Sequence, residues 1–204
     1  MAEAFPAVID RHPAQARPPR ERILASAYEL FTRHGTRTVG IGMIVEHAGV
    51  ARQTLYRHFT SKDQLVLAFL ERRQQLWTAE WLELEVTRRA SHAEERLLAI
   101  FDVFDSWFQC HDFEGCSFIN VLLEASDTTG PVAIAAIAYL ARIRGFLEDL
   151  AYEAGIEDPP GFARSWHILM KGSILAAGEH DPCAAQRAKQ IASLVLKDAR
   201  RATS

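Results

Sequence analysis

The sequence predicts an all-α protein of about nine helices. From Arg20 onward, apolar residues recur at three- and four-residue steps, the period of a helix with one buried face. Helix breakers separate these runs: Gly115, Gly130-Pro131, Gly155, Pro159-Pro160-Gly161 and Pro182. Alternating β-branched runs, the mark of strands, are almost absent. The chain has 204 residues, 49% hydrophobic and 24% charged, which excludes wholesale disorder and suits one or two folded domains. Its longest uncharged stretch, Thr128 to Ala141, is 14 residues, short of the roughly 20 that a membrane-spanning helix needs. No apolar run follows a basic start, and three irregularly spaced cysteines make no disulfide framework. The expected compartment is therefore the reducing cytoplasm.

Residues 1–19 hold four of the eight prolines and no usable period, which predicts a flexible arm. Ile23, Ala27, Leu30, Phe31 and His34 then mark a first helix that Gly35 ends as a C′ glycine. Ile41, Ile44, Val45 and Ala48 share the face of a short second helix, closed by Gly49. A third follows with Leu55 and Phe59 turned inward. Ser61 and Gln64 stand in capping-box spacing and open a long amphipathic helix through Leu65, Leu70, Trp77, Trp81 and Leu84. Further runs are expected near 93–110, 117–125, 131–154, 161–178 and 183–201.

Charge is unevenly placed. Residues 1–62 carry nine Lys/Arg against five acids, whereas residues 63–204 carry 14 against 21. A basic first third on an acidic body fits a chain whose one end meets a polyanion. Two short helical patterns joined by a glycine turn, residues 39–59, have helix-turn-helix spacing. The outer face of the second carries Arg52, Gln53, Thr54, Tyr56, Arg57 and His58. Arg can donate two hydrogen bonds to guanine and Gln can pair with adenine. The hydroxyls, with Lys62 at the next helix start, suit phosphate oxygens. A solvated helix face is the competing reading. The arm's Arg11 and Arg17, with Arg20, alternate with prolines in an extended shape suited to a minor groove, although a tail with no role is as good a reading.

The string AGVARQTLYRHFTSKDQLV (48–66), preceded by I-L-x-x-A-x-x-L-F-x-x-x-G at 23–35, resembles the N-terminal domain of the TetR family of bacterial transcriptional regulators. Gly115-Cys116-Ser117-Phe118-Ile119-Asn120, followed by Glu124, is similar to a stretch in one broad branch of that family. The resemblance implies DNA contacts for Arg52, Gln53, Thr54, Tyr56, His58 and Lys62, with Arg57 at a variable, sequence-reading position. It implies that Gly49 and Val50 make the turn, that Ala48, Leu55 and Phe59 hold the three helices together, and that Leu65 docks the long helix. Gly40 and Gly42 depart from it: the family usually has a Thr or Ser cap and a polar residue there. Backbone amides are then what this helix start can offer a phosphate.

The resemblance further implies an arm (1–19), a DNA-binding domain (20–66) and an effector-binding and dimerisation domain (67–204). The protein would be a homodimeric repressor, released from a palindromic double-stranded operator when a small molecule binds the body. Candidate ligand contacts are Phe104, Trp107, Phe108, Phe118, Tyr139, Trp166 and Met170, aromatic or soft side chains spread over several helices, with Asn120, Glu124 and Arg142 as polar residues among apolar neighbours. Plain core packing is the competing reading of each aromatic. Ile168, Leu169, Gly172 and Leu175, then Ile191, Leu194 and Val195, form apolar stripes expected at the dimer interface. Cys110, His111, Asp112 and Cys116 match no common zinc spacing, so no metal and no cofactor are expected. No nucleophile elbow, phosphate loop or paired His/Glu motif argues for an enzyme.

Overall fold

The computed structural model describes residues 17–111 and 113–201; the expectations placed on the arm before Arg17 lie outside them. Among the described residues there are helices and no strands. In order they are α1 (Pro19–His34), α2 (Ile41–Ala48), α3 (Arg52–His58), α4 (Lys62–Arg73), a π-helical stretch (Gln74–Leu82), α5 (Glu83–Arg89), α6 (Ala93–Phe108), α7 (Ser117–Glu124), α8 (Pro131–Glu153), α9 (Pro159–Gly178) and α10 (Ala184–Arg201). The segment from Lys62 to Arg89 is continuous, so the described chain has the nine helices expected.

The boundaries have local causes. Pro19 starts α1, where its missing N–H is no loss. Gly35 ends that helix at φ +77°, its amide bonded to the Phe31 carbonyl at 3.0 Å. Ser61 Oγ accepts from the Gln64 amide at 3.1 Å. The Gln64 side chain reaches back to the Thr60 amide at 3.0 Å, one residue earlier than a standard capping box. Asp158 caps α9 by accepting from the Gly161 amide at 3.0 Å.

The long helix corrects one expectation. Leu65, Leu70, Trp77 and Trp81 are buried, but Leu84 is 51% exposed and Leu82 and Val86 are buried instead. A π turn bonds i to i+5 and advances the buried face less per residue, so a strict α period loses register across Gln74–Leu82.

Packing divides the chain into two compact units. One is the described chain up to Leu76 with Cys116–Tyr139; the other is Trp77–Gly115 with Leu140 onward. The boundary expected at residue 66 thus falls inside the first unit, and α7, expected in the body, packs with the N-terminal helices. The first unit's core is Ile23, Ala27, Phe31, Val39, Ile44, Leu55, Leu65 and Phe69, all at most 3% exposed. Tyr28 and Phe31 both meet the Phe69 ring edge-on at 5.5 Å. In the second unit, Trp77, Trp81, Phe104, Trp107 and Phe108 form one aromatic cluster with Phe113. Phe101 continues it to Trp166, which stacks on Phe162 at 5.1 Å. Lys189 Nζ donates to both oxygens of Asp102 at 2.7 Å and pins α10 to α6. No helix among the described residues is long and apolar enough to cross a membrane.

Candidate nucleic-acid interface

Helix α3 is seven residues long and buries one side chain, Leu55, which is fully enclosed. An isolated helix of that length would not persist in water, so its neighbours hold it. Leu55 and Phe59 anchor it to the core, and Gly49 turns the chain into it at φ +60°, ψ +41°, the left-handed region that favours glycine. Arg52, Gln53, Tyr56, Arg57 and His58 are exposed; Thr54 and Lys62 are half-buried. The Arg52 guanidinium lies 5.8 Å from the Tyr56 ring centre, one turn on, which restrains both side chains. All seven residues read from the sequence as DNA contacts therefore sit on or beside one short helix, five of them facing outward.

The turn is held by a residue the sequence reading missed. Arg22 Nη2 donates to the carbonyls of Ala48 at 2.6 Å and Gly49 at 2.7 Å, capping the C-terminal end of α2 from α1. A Cβ on Gly49 would approach that same Nη2 to 2.9 Å, so a side chain there would shift the guanidinium as well as strain the dihedrals. No spacing rule announces a cap contributed from 26 residues away. Arg20 lies over the Phe59 ring at 5.2 Å. Arg72 pairs with Glu21 at 3.1 Å, and Arg73 donates to the Tyr28 hydroxyl at 2.9 Å, tying α1 to α4. At the start of α2, Gly40 is the N-cap and makes no side-chain cap bond; a Cβ at Gly40 or Gly42 would meet nothing within 4 Å.

Residues 23–69 match the profile of bacterial regulatory proteins of the tetR family. A solved TetR regulator from Streptomyces avermitilis superposes with a TM-score of 0.81 at 28% identity, covering 90% of this chain and 99% of that one. A TetR-family regulator from Streptomyces coelicolor gives 0.79 at 28%, covering 89% of each. Residues 23–69 are thus a tetR-type domain, and the chain shares the fold of these TetR-family regulators. The transcriptional activator FasR of Mycolicibacterium smegmatis is 31% identical over 100 residues, 49% of this chain and 44% of FasR. The transcriptional repressor ComR of Escherichia coli is 30% identical over 115 residues, 56% of this chain and 54% of ComR. The chain thus spans about half the length of these curated relatives. They are transcriptional regulators and not enzymes, in agreement with the non-enzymatic reading.

The residues expected to hold a ligand are divided between the two units. Phe104, Trp107, Phe108, Trp166 and Met170 lie in the second unit, buried except for the half-buried Phe108. Phe118 and Tyr139 lie in the first unit, their rings 5.4 Å apart. Asn120 and Arg142 are exposed, because the local helix period turns both away from the buried faces. Arg142 instead faces Glu83, whose carboxyl is held above its usual range by burial and by Asp149, with Arg142 opposing. Glu124 is committed elsewhere: its Oε2 accepts from the Thr36 amide and hydroxyl at 2.7 Å each and from the Arg37 amide at 3.0 Å. The second unit also holds enclosed polar atoms, on Trp166, which was among the expected ligand contacts, and on Trp77, Thr78 and His167, which were not. Trp77 Nε1, Thr78 Oγ1, Trp166 Nε1 and His167 Nδ1 are enclosed and have no hydrogen-bond partner among the described residues. Burial, reinforced by Lys171 and Arg144, lowers the His167 pKa to about 3, which keeps its imidazole neutral.

Ile168, Leu175 and Leu194 are about two-thirds exposed and Ile191 half exposed. Gly172 is also exposed, with Leu169 and Val195 half-buried beside them. Ile168, Leu169, Gly172 and Ile191 line a shallow groove of about 290 Å³ between α9 and α10. The opposite face of α10 (Ala185, Ala188, Ala192, Leu196) is buried within its own chain.

Proposed function

We propose that the chain is a homodimeric, cytoplasmic DNA-binding transcriptional regulator, a repressor released from a palindromic double-stranded operator when a small molecule binds its second unit. The observation that carries the reading is α3: five outward donors and acceptors on a helix held rigidly by Leu55, Gly49 and Arg22. In this reading Arg52, Gln53 and Arg57 meet base edges, while Thr54, Tyr56, His58 and Lys62 fix the helix on phosphates. The amides opening α2 add a backbone phosphate site.

Two further observations support the remaining parts. Buried polar groups nearly always find partners, and four in one unit with none among the described residues suit a ligand site. Three of them (the two indole N–H groups and the Thr78 hydroxyl) can donate, which suits a flat, largely apolar molecule bearing acceptors. The exposed stripe on α9 and α10 suits a second copy, because contiguous apolar surface on a soluble chain marks an interaction site. A twofold dimer would place two α3 helices about 34 Å apart, one turn of DNA.

Selection of bound sequences from a random duplex pool tests the proposal. The expected result is a palindrome with half-sites about 10 base pairs apart. Recovery of no sequence, or of single half-sites, would overturn it.

A further inference from the structure

We propose that Glu124 is a positioning residue for DNA reading: its carboxylate, seated in the turn between α1 and α2, lets α7 set the angle at which α2 and α3 meet DNA. The inference rests on the regulator reading and goes beyond it, because Glu124 lies on neither helix of the helix-turn-helix and touches none of the expected DNA contacts.

The turn is built around an anion. The amides of Thr36 and Arg37 and the Thr36 hydroxyl converge on one carboxylate oxygen at 2.7, 3.0 and 2.7 Å. Consecutive backbone amides around a negative group form an anion nest, and bonds to a charged acceptor are the stronger kind. Glycine at position 35 leaves room for it: a Cβ there would fall directly against the other carboxylate oxygen, Oε1. The same glycine is at φ +77°, so any side chain would be strained as well as obstructed. Thr36 is 8% exposed, so its amide and hydroxyl have little water to turn to if the carboxylate leaves.

The position of the nest matters more than its strength. Beyond Arg37, three residues lead to α2, which has no side-chain cap of its own. Its C-terminal end is held by Arg22 from α1, and α3 follows through Gly49. With Arg22 fixing one end of α2, the Glu124 nest is the polar restraint at the other, beside the buried Val39. Any displacement of α7 along its axis must drag that turn or break three hydrogen bonds. In a ligand-responsive regulator, this gives motion of α7 a direct route to DNA affinity.

The test uses the full-length protein and a duplex it has selected from a random pool. Affinities are compared for wild type, Glu124→Ala, Glu124→Gln, Thr36→Val and the Thr36→Val/Glu124→Ala double variant. Glu124→Ala should weaken binding about tenfold or more, and Glu124→Gln less, since a neutral amide oxygen can still accept. Thr36→Val should cost a few-fold, and the double variant should bind no worse than Glu124→Ala, because both changes cut the same link. An osmolyte that restores the melting temperature of Glu124→Ala should leave its affinity low. Wild-type affinity in Glu124→Ala, a double loss equal to the product of the single losses, or full rescue by osmolyte would each overturn the proposal. Should Glu124→Ala fail to fold, Glu124→Gln and Thr36→Val carry the same comparison. A wild type that selects no duplex would instead refute DNA reading itself, so the two failures are distinguishable.

Discussion

Helix α3 and the α9–α10 pair both present exposed side chains, but of opposite chemistry. α3 encloses Leu55 and turns arginines, Gln53, Tyr56 and His58 outward. α9 and α10 enclose a full face each and still leave Ile168, Leu175, Ile191 and Leu194 in the open. Exposed arginine is ordinary and says little alone; what sets α3 apart is the density of donors on a helix too short to stand without its neighbours. Exposed leucine in a contiguous stripe is the less ordinary case, because apolar surface is unfavourable in water. Polar exposure needs a rigid frame before it specifies a partner, whereas apolar exposure needs only continuity.

The comparison is broken most severely by placing charge on the apolar stripe. Leu194→Glu combined with Leu175→Glu should give a folded monomer whose operator affinity falls about a hundredfold or more, because the avidity of two linked reading helices is lost. Sedimentation and gel shifts measure the two effects. A wild type that is monomeric at micromolar concentration, yet binds a palindrome tightly, would remove the distinction between the two surfaces.

On the polar side, Arg57→Ala should cost about 1–3 kcal/mol of operator binding and relax preference at one base pair. Lys62→Ala should weaken all sequences alike and lower the salt slope by about one. Equal losses on specific and random duplexes for both variants would show that α3 positions without reading.

The interior behind the apolar surface has a pH signature. The folded pKa of His167, about 3, lies below its unfolded value of about 6.5, so below the latter the unfolded chain takes a proton the folded one refuses. Stability should fall by about 1.4 kcal/mol per pH unit through that window. His167→Gln should flatten urea midpoints measured between pH 7 and pH 5; an unchanged slope would assign the acid sensitivity to other groups. The smallest expected effect is at α2. Gly42→Ala should stabilise the helix by about 0.5–1 kcal/mol, since a Cβ there meets nothing within 4 Å. A lower melting temperature would contradict it.

The sequence made the helices legible because their limits are set by neighbours in the chain: Pro19, Gly35, Ser61 with Gln64, Asp158. It made the outer face of α3 legible for the same reason, since a seven-residue helix has few ways to turn. Three things were hidden, each by distance or by a change of period. The π stretch moved burial from Leu84 to Leu82 and Val86, which no fixed helical period can anticipate. Arg22 and Glu124 act on backbone atoms 26 and 88 residues away, and a backbone acceptor or donor leaves no trace in residue type. Asn120 and Arg142 drew attention as polar residues among apolar ones, and both lie on the exposed side of their helices, Arg142 beside Glu83.

Those two restraints on the reading helices also differ in when they can form. The Arg22 cap closes a loop of 26 residues and is available as soon as α1, α2 and the turn exist. The Glu124 latch closes 88, which carries about 1 kcal/mol more closure entropy and must wait for α7 to be synthesised. Residues 19–59 can therefore collapse early, as a low-contact-order nucleus, with α2 fastened at one end. Until Glu124 arrives, that nascent trio carries the cations of α3 on a frame whose second fastening is missing. Any grip on nucleic acid before the chain is complete should accordingly be loose.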